Sequence, residues 1–365
     1  MKIVIAAWHL KDFNVGLGRY CRELVEAIGR VDRVNRYEIL MPDASYRFPE
    51  RPNLRYRVVR FPVFKRRFWE QVAPLLAGRY DVLHFPYDSC VAWKRGAFVV
   101  TMHDVKPLIF QMGTGSRWSP GRMLERLLIP DRVAQFDHVL TDSNCSKRDI
   151  VERVGVRSDC ITVVYPGVEL ERFRPGESSR AAGRPYVLCV AGADPTKNVG
   201  ILVQAFAGLP YPLREAHDLV LVGDFRRRPN FHEQVRASGI EKQTVFTGVV
   251  DDGRLIDLYR QAALFVFPSL YEGFGFPVLE AMACGCPVIA SNTSSLPEVT
   301  GDAALLVEPT DVEELVKQME RVLMDAGLRA ELRERGLARA AEFSWDRTAR
   351  ETIDVYHRVG REVAA

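Results

Sequence analysis

Residues 264–281 read Leu-Phe-Val-Phe-Pro-Ser-Leu-Tyr-Glu-Gly-Phe-Gly-Phe-Pro-Val-Leu-Glu-Ala. The first four side chains have the apolar run of a buried strand. Pro268 and Ser269 end it, and Pro277 suits the first turn of a helix that continues through Met282. A strand, a glycine loop and a helix in that order predict a parallel α/β sheet, with the loop at the strand's carboxyl end, where open α/β sheets bind ligands. Gly273 and Gly275 lack Cβ atoms, so the backbone through Phe274 can approach a ligand closely. The loop amides and the helix N-terminus offer positive partial charge to an anion such as a diphosphate. Glu280 is placed in the first helical turn, where the helix dipole alone justifies a carboxylate. Its functional reading is as an acceptor for two neighbouring hydroxyls, such as those of a ribose. Glu272, ahead of the glycines, can bind sugar hydroxyls or stabilise positive charge at an anomeric carbon.

Working outward, the same alternation runs from end to end. Strand-like pieces fall at residues 2–7, 37–41, 54–61, 81–85, 98–103, 138–142 and 161–165, with helices such as 18–28 and 145–153 between them. Residues 169–184 lose all periodicity and collect Pro, Gly and Ser. The alternation then restarts at 186–191, 219–222, 244–247, 264–267, 288–291 and 304–307. Helices at 311–325 and 330–342 follow, and then a last helix capped by Ser344 with Asp346 in its first turn. The expectation is two Rossmann-like doubly wound parallel-sheet domains, 1–169 and 185–343, joined by a linker at 170–184 and facing a cleft. The final segment, 344–365, is a C-terminal helix that can cross back to the first domain.

At 365 residues, with 47% hydrophobic and 27% charged side chains, the chain has the material for two globular cores. No stretch of 18 apolar residues suggests a membrane span, and the N-terminal apolar run is too short for a signal peptide, which predicts a cytoplasmic protein. Seven cysteines without a Cys-x-x-Cys pair fit reduced thiols, and Cys284-Gly285-Cys286 reads as small-residue packing. The net charge of +3 conceals an asymmetry: residues 1–180 carry 30 Lys and Arg against 21 Asp and Glu, the remainder 20 against 26. The basic excess gathers at 47–67, where Val63-Phe64-Lys65-Arg66-Arg67-Phe68-Trp69 interleaves cations with aromatics. Such a segment suits either the solvated face of a helix or an anionic surface, a membrane or an acceptor.

The run from Glu272 through Cys286-Pro287-Val288 to Leu296-Pro297-Glu298-Val299 resembles the donor-site signature of the retaining glycosyltransferases of family four, which have the two-domain GT-B architecture. The likeness covers nearly the whole chain. It includes Gly16-Leu17-Gly18-Arg19-Tyr20, Thr101-Met102-His103-Asp104, Tyr165-Pro166-Gly167-Val168, Asp194-Pro195-Thr196-Lys197-Asn198 and Phe246-Thr247-Gly248. The resemblance implies that Glu280 holds the ribose and that Glu272 lies beside the donor sugar. Gly273, Phe274, Gly275 and Leu279 then line the donor site, and Lys197 neutralises the diphosphate. Gly16, with Gly18 beside it, brings backbone to the phosphates from the first domain, and His103 lies near the transferred sugar. Gly192 and Thr196 stand where many members carry arginines, so neutralisation leans on Lys197, with Arg19 or Arg226-Arg227-Arg228 as possible recruits; locally the latter run reads as a solvated loop.

The implied reaction moves a hexose from a nucleotide diphosphate sugar to a hydroxyl of a glycan or lipid-linked acceptor, with GDP-mannose placed ahead of a UDP-hexose on the likeness of the 195–198 stretch to a mannosyltransferase subgroup. No tightly bound cofactor is expected. The absence of any Asp-x-Asp predicts no metal, and no nucleic-acid partner is expected. The expected place of action is the cytoplasm, with the basic first half suited to peripheral contact at the inner membrane face. On local grounds His103 fits a satisfied core histidine as well as a ligand contact, and His84 reads as the end of a strand facing the cleft. A nicotinamide dehydrogenase fits poorly, since Gly16-x-Gly18 has Cys21 in place of a third glycine and lies nine residues past its strand. A sugar-nucleotide epimerase or a silent nucleotide-binding module on the same fold is the remaining alternative.

Overall fold

The structure, a computed structural model, describes residues 1–12, 16–60, 66–89, 95–110, 136–176, 183–226 and 228–364. Val63, Phe64 and Lys65 of the basic aromatic run, Cys90, Arg227 and residues 177–182 of the expected linker lie outside them. The chain divides into two compact units, Met1–Gly167 with Ser344–Ala365, and Val168–Phe343.

The first unit is built on strands β1 (Lys2–Ala6), β2 (Arg36–Met41), β3 (Leu54–Val58), β4 (Val82–Phe85), β5 (Ala97–Thr101), β6 (His138–Thr141) and β7 (Ile161–Val163). They form one sheet in the order β3-β2-β1-β4-β5-β6-β7, and every pairing is parallel. The second unit repeats the plan with β8 (Tyr186–Val190), β9 (Asp218–Val222), β10 (Thr244–Gly248), β11 (Leu264–Phe267), β12 (Val288–Ser291) and β13 (Leu305–Val307), ordered β10-β9-β8-β11-β12-β13 and again all parallel. Central strands such as Val82–Phe85 and Leu264–Phe267 are buried at every position, because a parallel sheet is covered on both faces and needs apolar side chains on each. Strand β3, at the edge, instead exposes Arg55, Arg57 and Val58.

The expected helices form with shifted ends. Helix α1 (Gly16–Val31) starts two residues early and turns Tyr20, Leu24, Val25 and Ile28 inward. Helix α2 is Arg66–Leu76 and α3 is Asn144–Val154, whose cap Ser143 accepts from Ser146 N. In the second unit α4 is Val199–Gly208, α5 Asp252–Gln261, α6 Phe276–Ala283 and α7 Val312–Met324. Helix α8 (Ala326–Ala341) begins four residues before the expected 330, because Asp325 caps it by accepting from Leu328 N at 2.9 Å.

The last helix, α9 (Trp345–Ala364), belongs to the first unit and packs on α1. Ser344 Oγ accepts from Arg347 N at 3.2 Å, and Asp346 bonds Arg30 at 2.9 Å. A Cβ on Gly167 would lie 2.1 Å from Trp345 N, so that glycine lets the chain pass against the start of α9. Residues 169–176, at the head of the expected linker, pack within the second unit: Phe173 is fully buried beside Tyr259, and Arg172 bridges Glu169 and Asp252.

Candidate active site

In each sheet the strand order reverses direction at one point, between β1 and β4 in the first unit and between β8 and β11 in the second. The loops leaving the carboxyl ends of those strands diverge there and leave a crevice. In the second unit these are the loops after β8 and β11, the ones that carry Lys197 and Glu272.

After β8, Asp194 accepts from Thr196 N at 3.0 Å and from the Thr196 hydroxyl at 2.8 Å, which tightens a single 3-10 turn over Pro195–Lys197. Asn198 leaves that turn in the left-handed region at φ 53° and donates to Pro309 O at 2.7 Å. The carbonyl of Thr196 accepts from Leu270 N at 2.8 Å and from Ser269 Oγ at 3.0 Å, so the two crevice loops are stitched together. Lys197 Nζ consequently meets Glu272 Oε1 at 2.7 Å and lies 4.9 Å from the centre of the Phe267 ring. The fully buried Ser269 hydroxyl also lies against Glu272 Oε1, so its one proton is shared between that carboxylate oxygen and Thr196 O.

The loop 272–275 is held by two neighbouring serines. Glu272 N donates to Ser294 Oγ at 3.0 Å, and Ser295 Oγ reaches the carbonyls of Glu272 and Phe274 at 2.9 and 2.6 Å. Gly275 sits at φ 115°, and a Cβ there would meet Leu296 Cδ2 at 2.8 Å, so both backbone and space require glycine. The Phe274 ring is buried against Phe276 and Phe343. Only its backbone is left for a ligand.

Glu280 departs from its expected position. Helix α6 begins at Phe276, one residue ahead of Pro277, which places Glu280 in the second turn, where the dipole effect has faded. It is nevertheless 3% exposed, and Tyr259 OH donates to its Oε2 at 3.1 Å. A carboxylate this buried calls for donors. Leu279 beside it is fully buried in the core. Of the arginine run, Arg226 is folded back onto Asp224 and the guanidinium of Arg228 lies over Phe231.

The first unit's site residues have a different character. Gly16 opens α1 at φ 50° with space around it, whereas a Cβ on Gly18 would lie 2.3 Å from Asp12 O and 2.5 Å from His9 O. Gly18 therefore brings α1 against the 3-10 turn at Trp8–Asp12. His103 lies two residues beyond β5 rather than at its end. Its Nδ1 meets Asp142 Oδ2 at 2.6 Å, its Nε2 faces Pro86 O at 3.2 Å, and the Tyr20 ring packs edge-on at 4.5 Å. Burial alone pulls the imidazole down, but the Asp142 carboxylate and the second acceptor outweigh it and raise its pKa to about 9. Both nitrogens face acceptors, the arrangement of an imidazolium with two N–H donors.

His84 neither ends its strand nor reaches the surface. It is the third residue of β4, fully buried, with Nδ1 2.6 Å from Tyr356 OH and Nε2 2.9 Å from Thr101 Oγ1. Burial pushes it down to about 3, so it is a neutral core histidine.

Sequence reasoning passed over Tyr259, Ser269, Ser294, Ser295 and Asp142. Asp142 had a usable signal, a carboxylate at the carboxyl end of an expected strand. The serines and Tyr259 carried none, because their partners lie as far as 73 residues away and only the fold brings them together.

Two family models cover the chain in succession: the one described as Glycosyltransferase Family 4 matches residues 15–172, and the one described as Glycosyl transferases group 1 matches 172–339. The O-antigen chain mannosyltransferase B of Escherichia coli is 29% identical over 98% of this chain and 99% of its own. A D-inositol 3-phosphate glycosyltransferase of Acidothermus cellulolyticus is 34% identical over 76% of this chain and 67% of its own. The serotype-specific mannosyltransferase WbdA of Escherichia coli is 32% identical over 75% of this chain, which spans about a third, 34%, of that longer protein. Among solved structures, a sucrose-phosphate synthase from Thermosynechococcus elongatus superposes with a TM-score of 0.78 over 98% of both chains at 22% identity, a likeness of fold.

Proposed function

This chain belongs to glycosyltransferase family 4, with the GT-B architecture and mannosyltransferase-like relatives, and from that premise we propose that it transfers mannose from GDP-mannose to a hydroxyl of a glycan or lipid-linked acceptor with retention at the anomeric carbon. The observation that carries this reading is the convergence of Lys197 and Glu272 at the switch point of the second sheet, with Gly275 and the buried Glu280 on the adjoining loop and helix.

In this reading Lys197 neutralises the diphosphate and so stabilises the leaving group. The oxygens of Glu280 accept from the ribose hydroxyls, and the backbone of Gly273, Phe274 and Gly275 lies along the phosphates and sugar, above the Leu279 packing. Glu272 accepts from the sugar hydroxyls and balances the positive charge that builds at the anomeric carbon. In the first unit taken by itself, Gly16 opens α1 and His103 is held as a cation by Asp142. The bond from the anomeric carbon to the departing phosphate oxygen breaks as the acceptor oxygen bonds on the same face, and that phosphate oxygen takes the acceptor's proton. The donor is a co-substrate, and no resident cofactor or metal is assigned a step.

The mannosyltransferase relatives support the sugar, the buried Glu280 supports a ribose contact, and the exposed Arg47, Arg55 and Arg60 near the β3 edge support an anionic acceptor or inner-membrane surface for the first unit. A panel of GDP- and UDP-hexoses with a mannan-type acceptor tests it. Turnover is expected with GDP-mannose, giving an α-linked product by the one-bond C1–H1 coupling at the anomeric centre in NMR; a β-linked product removes retention, and preference for a UDP-hexose removes the donor. Co-sedimentation with anionic but not neutral vesicles is expected for the surface contact, and equal binding to both removes it.

A further inference from the structure

The ammonium of Lys197 is already engaged: it meets Glu272 Oε1 at 2.7 Å and lies over the face of Phe267. The two side chains are only 21% and 12% exposed, so water screens the pair weakly. Both protein contacts to the Glu272 carboxylate, from Lys197 and from Ser269, fall on Oε1, and among the described residues no protein group donates to Oε2. The carboxylate thus holds a cation on one oxygen and offers the other to incoming donors.

We propose that Glu272 is the determinant by which the site prefers a nucleotide diphosphate sugar over the bare nucleoside diphosphate, acting as an exchangeable counterion for Lys197. This rests on the assignment of Lys197 to the diphosphate. When a diphosphate reaches the ammonium it must share it with a second anion a few ångströms away, an unfavourable contact in a poorly hydrated crevice. If the ligand still carries its sugar, the sugar hydroxyls donate to Oε2 and offset that repulsion. Once the sugar has been transferred, the carboxylate has lost those donors and competes with the diphosphate for Lys197. The spent nucleotide is thereby weakened without any movement of the backbone, and product release is the rate-limiting step in many enzymes.

Titration calorimetry on the full chain tests this with GDP and UDP, the matching nucleosides, and the matching donor sugars, in wild type, Glu272→Gln and Lys197→Ala. Glu272→Gln keeps the shape and removes the charge; it is expected to tighten the bare diphosphate at least fivefold, to leave the nucleoside unchanged, and to leave the donor sugar unchanged or weaker. A merely structural role for Glu272 would move nucleoside and diphosphate together. Glu272→Ala, expected to move the diphosphate in the same direction, serves if the Gln variant unfolds in a thermal melt. If Lys197→Ala weakens the diphosphate tenfold or more while neither Glu272 variant tightens it, the counterion role is overturned and the donor site stands. If Lys197→Ala leaves diphosphate affinity unchanged, or neither diphosphate binds wild type, both fall together.

Discussion

The two units share a topology and differ in what they place at the same point of it. In the second unit the loops after β8 and β11 bring an ammonium and a carboxylate into contact over a glycine turn. In the first, the equivalent loops after β1 and β4 carry His9 and Tyr87, whose rings meet edge-on at 4.6 Å, and His9 is lowered to about 4 by burial and by the nearby cations Arg66 and Lys11. The first unit's charged pair, His103 with Asp142, lies one and two strands further along, after β5 and β6. The comparison teaches that strand order supplies a crevice and nothing more. Which groups line it is decided by a few loop residues: among the described residues the second unit's crevice pairs an ammonium with a carboxylate, where the first pairs two rings.

The sharpest way to break this contrast is Lys197→Ala. If the second crevice carries the diphosphate, kcat/KM for the donor falls by about 10²–10³, measured by nucleotide release, whereas removing the first unit's counterpart, His9→Ala, leaves it within about threefold; comparable losses would erase the distinction.

Asp142→Asn probes the first unit through its stability. His103 has a pKa of about 9 in the folded state against an ordinary 6.5, so its contribution is fully present below pH 6.5 and is lost as pH rises through 9. Wild type is expected to lose on the order of 2–3 kcal/mol between pH 6 and 9.5, and the variant to show a flat profile there. All five tryptophans (8, 69, 93, 118 and 345) fall within the sequence of the first unit, so tryptophan fluorescence in urea follows that unit alone.

Next in size is Gly18→Ala. The added methyl meets two carbonyls, Asp12 O and His9 O, closer than real contacts allow, and about 2 kcal/mol of first-unit stability is expected to be lost in the same fluorescence assay. A smaller loss, about 1 kcal/mol, is expected for Gly16→Ala, which has space but a left-handed backbone.

Smallest is Ser269→Ala, which removes one of the two groups holding Glu272 Oε1. Turnover is expected to fall about fivefold with donor KM little changed, a kinetic split corresponding to about 1 kcal/mol for one lost hydrogen bond. An unaltered kcat would leave Lys197 as the carboxylate's sole support.

Among the described residues all thirteen strands were legible in the sequence, because a strand buried on both faces must be a short apolar run and the intervening helices keep their own period. Residues 264–281 alone announced the strand, the turn and the helix. Glycines 273 and 275 were legible as a loop, and Gly275 proves to need its glycine for both backbone and room. What the sequence could not show is which polar groups meet. Glu280 read as a first-turn acid explained by its helix, and it is instead a buried carboxylate met by Tyr259 from a different helix. His84 and His103 each read as a histidine at a strand's carboxyl end, yet one is a neutral core group between Tyr356 and Thr101 and the other a cation held by Asp142.

Apolar periodicity is a local property, carried by neighbours a few residues apart, so sequence by itself determined the two sheets and the linear order of their elements. Charge state and pairing depend on partners as distant as 75 positions for Lys197 and Glu272, and 39 for His103 and Asp142. Only tertiary structure decided those, because electrostatic energy is set by separation in space and by exclusion of water, and neither is written along the chain.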